Sequence, residues 1–354
     1  MKGVQVEKVV YFLGAGFSAP LGLPVMSDFL IKSKDMYAID PEKYSHFNDI
    51  FKTIAEMSTV KNYFNADLFN IEEILSILEM QDHLSGKSRA ESFRQYIADV
   101  IIYFTPPVTP YASRLPGNWE SFVFGKNQRW RRYGSFASSL FNLRMKKLSE
   151  TIKYWKEPHP KAAYSTITLN YDLIFESALT HLEEDNNFTT DAPIMVLKEL
   201  AHEQVIDSGK FYLAKLHGTV EPLTIVPPTW NKVSEETLQP TWSLARQLLQ
   251  EANHIRILGY SLPISDAYVK YLLKSSLLDL AHLKKIDVIC QDPTGEIKRR
   301  YDEFIAFNFY RFKNADISDY LSLNNDAVGK ITRPERHNLS FDQLENVHEQ
   351  FMTK

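Results

Sequence analysis

A strand-like run that ends in a glycine-rich loop constrains the fold of this chain more than any other feature. The segment VVYFLGAGFSAPLGLP begins at Val9 and passes from β-branched and aromatic residues directly into Gly14-Ala15-Gly16. Glycine has no Cβ atom, so the backbone of such a loop can approach a ligand closely. If a helix follows, its unpaired N–H groups favour anions by roughly 0.3–1 kcal/mol per charge. The loop therefore predicts a dinucleotide site at the end of the first strand.

The residues after the loop distinguish between two kinds of dinucleotide site. GAGFSA fits the G-x-G-x-x-A fingerprint of nicotinamide dehydrogenases, with acidic residues at a suitable distance beyond it. That fold needs an uninterrupted helix directly after the loop, and a proline inside a helix costs ~3 kcal/mol or more. Here Pro20, Gly22 and Pro24 follow. They disfavour a dehydrogenase and predict an irregular covering loop, with a helix beginning only near Ser27 or Asp28.

The rest of the chain predicts an α/β protein. Short apolar runs alternate with helical segments, and the runs cover residues 9–13, 165–169, 211–216, 254–258, 286–290 and 307–310. This alternation is typical of a Rossmann-like, mostly parallel sheet flanked by helices. Between 31 and 161 the periodicity is helical and strand signals are missing, which indicates a helical insertion. We therefore expect residues 1–30 and 162–322 to form the sheet domain.

The remaining segment, 323–354, is predicted to be a C-terminal tail. It is polar at first and then places four apolar residues at helical spacing, namely Phe341, Leu344, Val347 and Phe351. This spacing predicts a short amphipathic helix. The helix either folds back on its own domain or, as the second alternative, contacts another subunit.

Composition limits the classes of function. The net charge of −4 gives no general attraction to nucleic acid or to an acidic membrane, and no run of 18 apolar residues predicts a membrane span. The single cysteine, Cys290, is compatible with neither a disulfide framework nor a zinc ribbon, and it favours a reducing, cytoplasmic location. One basic stretch, Lys126 to Lys161, includes Trp130 and Tyr133. It predicts either a surface for nucleic acid or an acidic partner, or simply a solvated helix face.

Small and polar residues follow three further strand-like runs. Asn170 and Asp172 come after the run in TITLNYDLIFESAL, His217 after the run in YLAKLHGTV, and Gly259 and Ser261 after the run in IRILGYSLPISDAYV. The carboxyl ends of parallel strands meet at one edge of a sheet, where α/β proteins bind ligands. Each residue also has a structural alternative, since Asn170 or Asp172 could cap a helix, His217 could be a core imidazole and Ser261 a turn residue. Together with the glycine loop they predict one crevice.

Four motifs in this order, GAGFSAPLGLP, TLNYD, KLHG and LGYSLPISD, resemble those of the SIR2 family. The resemblance is closer to the SIR2-like domains of bacterial anti-phage defence proteins than to the zinc-containing sirtuin deacylases. It covers about 9–30 and 165–293. It implies a SIR2-like NAD-binding domain, with NAD as substrate and a reaction that breaks the bond between nicotinamide and ribose.

The resemblance also implies roles for individual residues. Asn170 would hold the nicotinamide ribose or the attacking water, and His217 would act as the base. The residues implied to bind the cofactor are Gly14, Ala15, Gly16, Ser18, Asp172, Gly259 and Ser261. Sirtuins build a zinc ribbon from four cysteines and continue their loop with Pro-Asp-Phe-Arg; one cysteine and the sequence from Pro24 to Leu30 provide neither. No zinc is therefore expected, and water replaces acetyl-lysine as the acceptor.

The resulting prediction is an NAD hydrolase that depletes NAD as the effector of a bacterial anti-phage defence system. Unregulated depletion would kill the host, so we expect the enzyme to be inactive until it is triggered. The trigger would be assembly into a homo-oligomer or a sensor partner, such as an ATPase or helicase or an Argonaute. The alternative is a non-catalytic regulatory module that binds NAD or ADP-ribose. The sequence leaves open the trigger, the oligomeric state and whether ADP-ribose is cyclised.

Overall fold

The structure is a computed structural model that describes residues 6–64, 67–107, 127–148, 151–156, 160–184, 196–199, 205–226, 238–278, 282–331 and 343–354. Its strands are β1 (Glu7–Leu13), β2 (Leu143–Leu148), β3 (Thr151–Lys156), β4 (Ala162–Thr168), β5 (Val196–Leu197), β6 (Phe211–Lys215), β7 (His254–Leu258), β8 (Lys285–Cys290) and β9 (Tyr310–Asn314). Its helices are α1 (Ala15–Ser18), α2 (Phe29–Ile39), α3 (Phe47–Met57), α4 (Ile71–Ser85), α5 (Arg89–Phe104), α6 (Gln128–Leu140), α7 (Ile174–Glu184), α8 (Gln239–Glu251), α9 (Ala267–Ser276), α10 (Glu296–Phe304), α11 (Ile317–Ile331) and α12 (Gln343–Thr353).

A seven-stranded parallel sheet forms the centre of the molecule. The strand order is β5-β6-β4-β1-β7-β8-β9, so β1 lies near the middle with β4 on one side and β7 on the other. The chain builds one side of the sheet from β4 to β6 and then crosses to β7, which makes the carboxyl ends of these strands a topological switch point. The predicted Rossmann-like α/β fold class is confirmed.

Alternating side chains of β1 pack on opposite faces of the sheet. Val9, Tyr11 and Leu13 belong to one buried cluster and Val10 and Phe12 to another. Both faces are covered, which is why the sequence of the strand is a continuous apolar run instead of an alternating one. The second face is covered by α8, α9 and α10. The first cluster joins the other face to buried residues of α2 to α7, α11 and α12, so this larger group of helices lies on that side.

The interval 31–161 contains one element that the sequence analysis missed. Strands β2 and β3 pair as an antiparallel hairpin, whereas strand signals were expected to be missing there. Only the first four residues of LRMKKL alternate apolar with basic, and TIKYWK shows no strict alternation but contains the strand-favouring residues Thr151, Ile152, Tyr154 and Trp155. This weak strand signal is hidden when the stretch is assessed only by its charge. The domain boundaries themselves stay predictions.

The last strand begins later than its apolar residues predict. Phe307 and Phe309 lie in a turn in which the Tyr310 amide donates to the Phe307 carbonyl at 3.2 Å, and the strand continues to Asn314. Because β9 is an edge strand, its residues are only partly buried and carry a polar sequence, YRFKN. Phe307 and Phe309 therefore mark the turn before β9 and not the strand itself, whose sequence is that of an exposed sheet edge.

The predicted interruption after the glycine loop is confirmed. A single turn of helix, α1, leads into a 3₁₀ turn from Ala19 to Leu21 with Pro20 in its first turn, where a proline is tolerated. Gly22 ends that turn with a φ of 104°, a value that favours glycine. The next helix, α2, begins at Phe29, close to the expected start.

The two aromatic residues that the sequence analysis named in the basic stretch do not face solvent. Trp130 and Tyr133 are both buried, and the Tyr133 hydroxyl donates to the carbonyl oxygen of Phe17 behind the glycine loop. They are therefore core residues of α6 and not a stacking surface for bases. Lys126 lies outside the described residues. No helix of the described ranges combines the length and the apolar character that crossing a bilayer would require.

The C-terminal helix α12 folds back on the sheet of its own domain. Leu344 and Val347 are buried in the first cluster and Phe351 packs against it, while Phe341 lies outside the described residues. Beneath α12, neighbouring strands align a row of polar side chains, Tyr11, Arg256, Asp287 and Arg311. Residues of α12 form two ion pairs with this row, Arg256–Glu345 and Arg311–Glu349, and His348 of the same helix hydrogen-bonds to Asp287.

Burial keeps His348 in its neutral form within a chain of hydrogen bonds. Arg256 donates to the Tyr11 hydroxyl, which lies 2.9 Å from the Tyr320 hydroxyl. Tyr320 then donates to Nδ1 of His348 at 3.2 Å, and Nε2 of His348 donates to Asp287 at 2.9 Å. Burial, aided by the positive charge of Arg256, lowers the pKa of His348 from 6.5 to about 4.

This buried histidine predicts a loss of stability on acidification. The unfolded histidine binds its proton near pH 6.5 and the folded one only near pH 4, so stability is complete above pH 6.5. The free energy of unfolding should fall between these values by on the order of 3 kcal/mol. Denaturant titrations at several pH values measure the free energy of unfolding. Its slope against pH reports the number of protons that bind on unfolding, and His348→Gln should lower that number by about one. An unchanged slope in His348→Gln would contradict the assignment.

Candidate active site

The carboxyl ends of β6, β4, β1 and β7, four neighbouring strands, border a cavity of about 600 Å³. This volume lies within the usual range for small-molecule and cofactor sites. The sequence predicted that four strand ends describe one crevice, and the structure brings them together. All of the predicted site residues line the cavity, namely Gly14, Ala15, Gly16, Ser18, Asn170, Asp172, His217, Gly259 and Ser261.

The glycines of the loop are required by contact with the end of β7. A Cβ atom on Gly14 would lie 2.6 Å from the Cα atom of Tyr260, and one on Gly16 would lie 2.9 Å from the Cα atom of Gly259. The Gly14 amide donates to Leu258 and the Gly16 amide to Gly259, at 3.0 and 2.9 Å. These two amides are therefore paired with backbone carbonyls. The loop glycines bring two backbones together beside the cavity, a role that the sequence analysis did not assign to them.

Asn170 is held by both hydrogens of its amide group. Nδ2 donates to the Gly14 carbonyl and to the Ser18 hydroxyl, each at 3.0 Å. Ser18 in turn hydrogen-bonds to the carboxylate of Asp172. With both donors used, the carbonyl oxygen Oδ1 is the atom of this amide that remains to accept a hydrogen bond from a ligand. The residue links β4 to the glycine loop and lines the cavity at the same time.

Asp172 has the helix-capping role that the sequence left open. Its Oδ1 accepts from the Ile174 amide at 3.0 Å, at the start of α7, and the residue is buried. Burial raises the pKa of Asp172 above its usual value, while Lys215, Ser18 and the Ile174 amide act in the opposite direction. Asp172 therefore stabilises α7 and orients Ser18, besides lining the cavity.

His217 lies between two carboxylates. Its Nδ1 is 3.7 Å from Oε1 of Glu72, and its Nε2 is 3.6 Å from Oδ2 of Asp266. These distances are too long for hydrogen bonds, and neither ring nitrogen has a hydrogen-bond partner among the described residues. The side chain is 3% exposed. Buried polar atoms without hydrogen-bond partners are rare in folded proteins, and in the lining of a cavity they are candidates for binding a ligand.

Two tyrosines hold the carboxylate oxygens that face this ring. Tyr171 donates to Oε1 of Glu72 at 3.2 Å, and Tyr260 donates to Oδ2 of Asp266 at 2.9 Å. Burial, followed by the neighbouring carboxylate, raises the pKa of each tyrosine well above 10. Both phenols therefore stay protonated donors.

Glu72 and Asp266 are site residues that the sequence analysis did not assign. Asp266 ends the quoted motif LGYSLPISD and lies at the N-cap of α9. Its position shortly after the end of β7 is the sequence signal that could have placed it in the crevice. Glu72 lies in the first turn of α4 within NIEEILSIL, where an acidic residue is typical of any helix start. Nothing local indicated that this turn reaches His217.

The cavity is acidic. Its lining includes four carboxylates, Glu72, Asp172, Asp266 and Asp316, and within the described residues no lysine or arginine side chain lines it. Negative charge on the cavity wall favours a ligand that brings a positively charged group close to these carboxylates. The described residues contain no group of three histidine, cysteine or acidic side chains that could hold a metal ion.

Comparison with models of protein families finds a similarity in the part of the chain that carries Asn170, His217 and Asp266. A model of the SIR2-like domain matches residues 165–309, so this part of the chain is similar to that domain and the predicted resemblance is confirmed. The match includes Asn170, His217 and Asp266, whereas the glycine loop and Glu72 precede it.

One solved structure similar to the chain is a crystal structure of Sir2 in complex with the inhibitor EX-527, 2′-O-acetyl-ADP-ribose and a deacetylated p53 peptide. The alignment covers 91% of this chain and 94% of that one, at 12% sequence identity and a TM-score of 0.30. No curated protein sequence matches the chain.

Proposed function

We propose that the chain is an NAD hydrolase that releases nicotinamide and ADP-ribose. The observation that carries the proposal is the cavity, in which the amide of Asn170 and the imidazole of His217 lie beside the glycine loop in a SIR2-like fold. NAD is the ligand that the family resemblance implies. No metal takes part in the proposed reaction.

The charge of the cavity supports this substrate. The nicotinamide ring of NAD is cationic, and as its bond to ribose breaks the positive charge moves onto the sugar as oxocarbenium character. Carboxylates that surround the reacting sugar stabilise this charge where it develops. Glu72 and Asp266 lie beside His217 and so supply negative charge at the site of the proposed base.

The chemistry needs an oriented water and a base. The bond between C1′ and the nicotinamide nitrogen breaks with its electron pair moving to the ring, which leaves as neutral nicotinamide. The oxygen of water forms the new bond to C1′, and His217 takes the proton that water loses. General-base catalysis of this kind contributes on the order of 10²–10⁴ in rate. Nicotinamide needs no proton to leave, so a general acid is not required.

Asn170 would orient this water or a ribose hydroxyl as an acceptor. Both of its amide hydrogens are bonded within the protein, so Oδ1 is the atom that meets the ligand. An accepted hydrogen bond fixes the water without adding charge to the site. The bonds to Gly14 and Ser18 prevent rotation of the amide, which pre-organises the acceptor.

We further propose that this activity depletes NAD in the cytoplasm of a bacterium as the effector of an anti-phage defence system. The resemblance of the motifs to defence proteins supports the proposal, and the lethality of unregulated NAD loss requires a trigger. A homo-oligomer, or a sensor partner of the ATPase, helicase or Argonaute type, would supply it. Contact with nucleic acid would then be indirect or through the basic residues of the Lys126 to Lys161 stretch.

Incubation of the purified chain with NAD, followed by chromatography of the products, tests the proposal. We expect nicotinamide and ADP-ribose in equal amounts, from the chain alone or after addition of the proteins encoded beside it. Tight NAD binding without nicotinamide release under every condition would instead support the regulatory binding module. A cyclised product would retain the cleavage step but replace water as the acceptor. Absence of both binding and cleavage would refute the proposal.

A further inference from the structure

A helix outside the SIR2-like match places a carboxylate against the proposed base. Oε1 of Glu72 lies 3.7 Å from Nδ1 of His217, on the side of the ring opposite Asp266. The Glu72 side chain is 12% exposed and lines the cavity. Both ring nitrogens of His217 therefore face carboxylate oxygens, one from the SIR2-like domain and one from α4.

The first turn of α4 is built to hold this carboxylate in place. The side chain of Asn70 caps the helix by accepting from the amides of Glu72 and Glu73, at 3.0 and 3.1 Å. Ile71 and Ile74 on the same turns are buried in the core cluster. Tyr171, the residue next to Asn170, donates to the same Glu72 oxygen that faces His217. The Asn70 cap, the two buried isoleucines and the Tyr171 hydroxyl together fix the position of the Glu72 oxygen.

We propose that Glu72 is a positioning residue for His217. This inference rests on the proposed hydrolase function. When His217 takes a proton from water, its ring becomes a cation with an N–H on both sides. Glu72 and Asp266 each accept a hydrogen bond from one of these N–H groups. The separations of 3.7 and 3.6 Å would shorten when the charged ring forms, as catalytic hydrogen bonds commonly do on substrate binding. Glu72 thus orients the base and stabilises its charged form without touching the glycosidic bond.

The contact also connects turnover to the helices of the interval 31–161. Glu72 lies in the wall between the cavity and an outer groove, which is lined by residues of α3 and α4 together with Pro263, Ile264 and Arg300. A shift of α4 relative to the sheet would withdraw the carboxylate from His217. A partner that moved α4 on binding would therefore act on the base through Glu72.

The chain contains a matched control for Glu72. Glu73 lies in the same first turn, its amide is capped by the same Asn70 oxygen, and it lines the outer groove but not the cavity. Replacing either glutamate with glutamine removes one charge from the same end of the helix dipole. A difference between the two variants therefore reports the contacts of the Glu72 carboxylate with His217 and the Tyr171 hydroxyl, and not the charge at the start of α4.

Steady-state NAD hydrolysis by Glu72→Gln, Glu72→Asp and Glu73→Gln tests the proposal. We expect Glu72→Gln to lower kcat by on the order of 10–100-fold, part of the contribution of a general base, with KM changed by less than about threefold. Glu72→Asp keeps the charge and should recover part of this loss, and Glu73→Gln should match the wild type. A kcat in Glu72→Gln equal to that of Glu73→Gln would overturn the proposal.

A second measurement separates this inference from the proposed function. In protein labelled with ¹⁵N-histidine, Glu72→Gln should move the ring signals of His217, and Glu73→Gln should leave them in place. If the wild type hydrolyses no NAD, the hydrolase proposal fails while these spectra still decide the contact. Unmoved His217 signals in Glu72→Gln would refute the positioning role whether or not the protein turns over NAD. Melting temperatures confirm that the compared variants are folded.

Discussion

Replacing His217 with alanine is expected to lower NAD hydrolysis by on the order of 10²–10⁴-fold, which is the loss of a general base. His217 is the one histidine that lines the cavity within the described residues. Glu72 and Asp266 would remain, but each oxygen that faces His217 is bound by a tyrosine hydroxyl. Neither carboxylate is therefore placed to replace the base.

The control for this variant is another histidine. His282 is exposed and bonds through Nε2 to the Gln250 carbonyl, at the far end of the sheet from the cavity. His282→Ala should keep full turnover. Nicotinamide release, followed by chromatography under the conditions that activate the wild type, measures both. Full activity in His217→Ala would show that the base has been assigned to the wrong residue.

Asn170→Ala tests the other residue of the proposed mechanism. We expect the rate of NAD hydrolysis to fall by at least about 100-fold because the water is no longer oriented. This variant also deprives the Gly14 carbonyl and the Ser18 hydroxyl of a donor. A lower melting temperature is therefore expected, and turnover has to be measured below it. Full turnover in Asn170→Ala would remove the amide from the mechanism.

Gly259→Ala is expected to produce a large loss of stability through a single methyl group added beside the glycine loop. Gly259 has a φ of 65°, and an added Cβ atom would meet the backbone of Gly16 and Phe17. The left-handed conformation costs about 1–2 kcal/mol and the overpacking about 1–3 kcal/mol, so the free energy of unfolding should fall by roughly 3 kcal/mol. Denaturant titration measures the change directly.

Gly86 isolates the two contributions to this loss. Its φ of 68° is nearly that of Gly259, but an added Cβ atom would have no neighbour within 4 Å. Gly86→Ala should therefore lose only the backbone contribution of about 1–2 kcal/mol. A loss in Gly259→Ala no larger than that in Gly86→Ala would show that the glycine loop and the end of β7 do not pack as tightly as described.

The sequence predicted the features that depend on short stretches of chain. The run from Val9 into Gly14 predicted a strand and a loop, and Pro20 and Pro24 predicted the interruption before α2. Parallel strands all end at the same edge, so residues that follow them converge whatever the lengths of the connections. This is why Asn170 and His217 could be assigned to one cavity before their positions were known.

The sequence did not predict features that arise from contacts between distant segments. Glu72 meets His217 only because α4 packs across the sheet edge, and an acidic residue in a helical first turn gives no sign of such a contact. The bonds of Asn170 to Gly14 and Ser18 likewise depend on how β4 aligns with the glycine loop. Trp130 and Tyr133 appeared exposed because basic residues surround them, although they face the core.

A crystal structure of the Asn170→Ala variant soaked briefly with NAD tests the central claim most directly, because this variant should consume bound substrate at least about 100-fold more slowly than the wild type. The account predicts NAD in the cavity beside Gly14, with C1′ of the nicotinamide ribose next to His217 and position 170. NAD bound elsewhere, or bound in the cavity with its nicotinamide end turned away from His217, would contradict it.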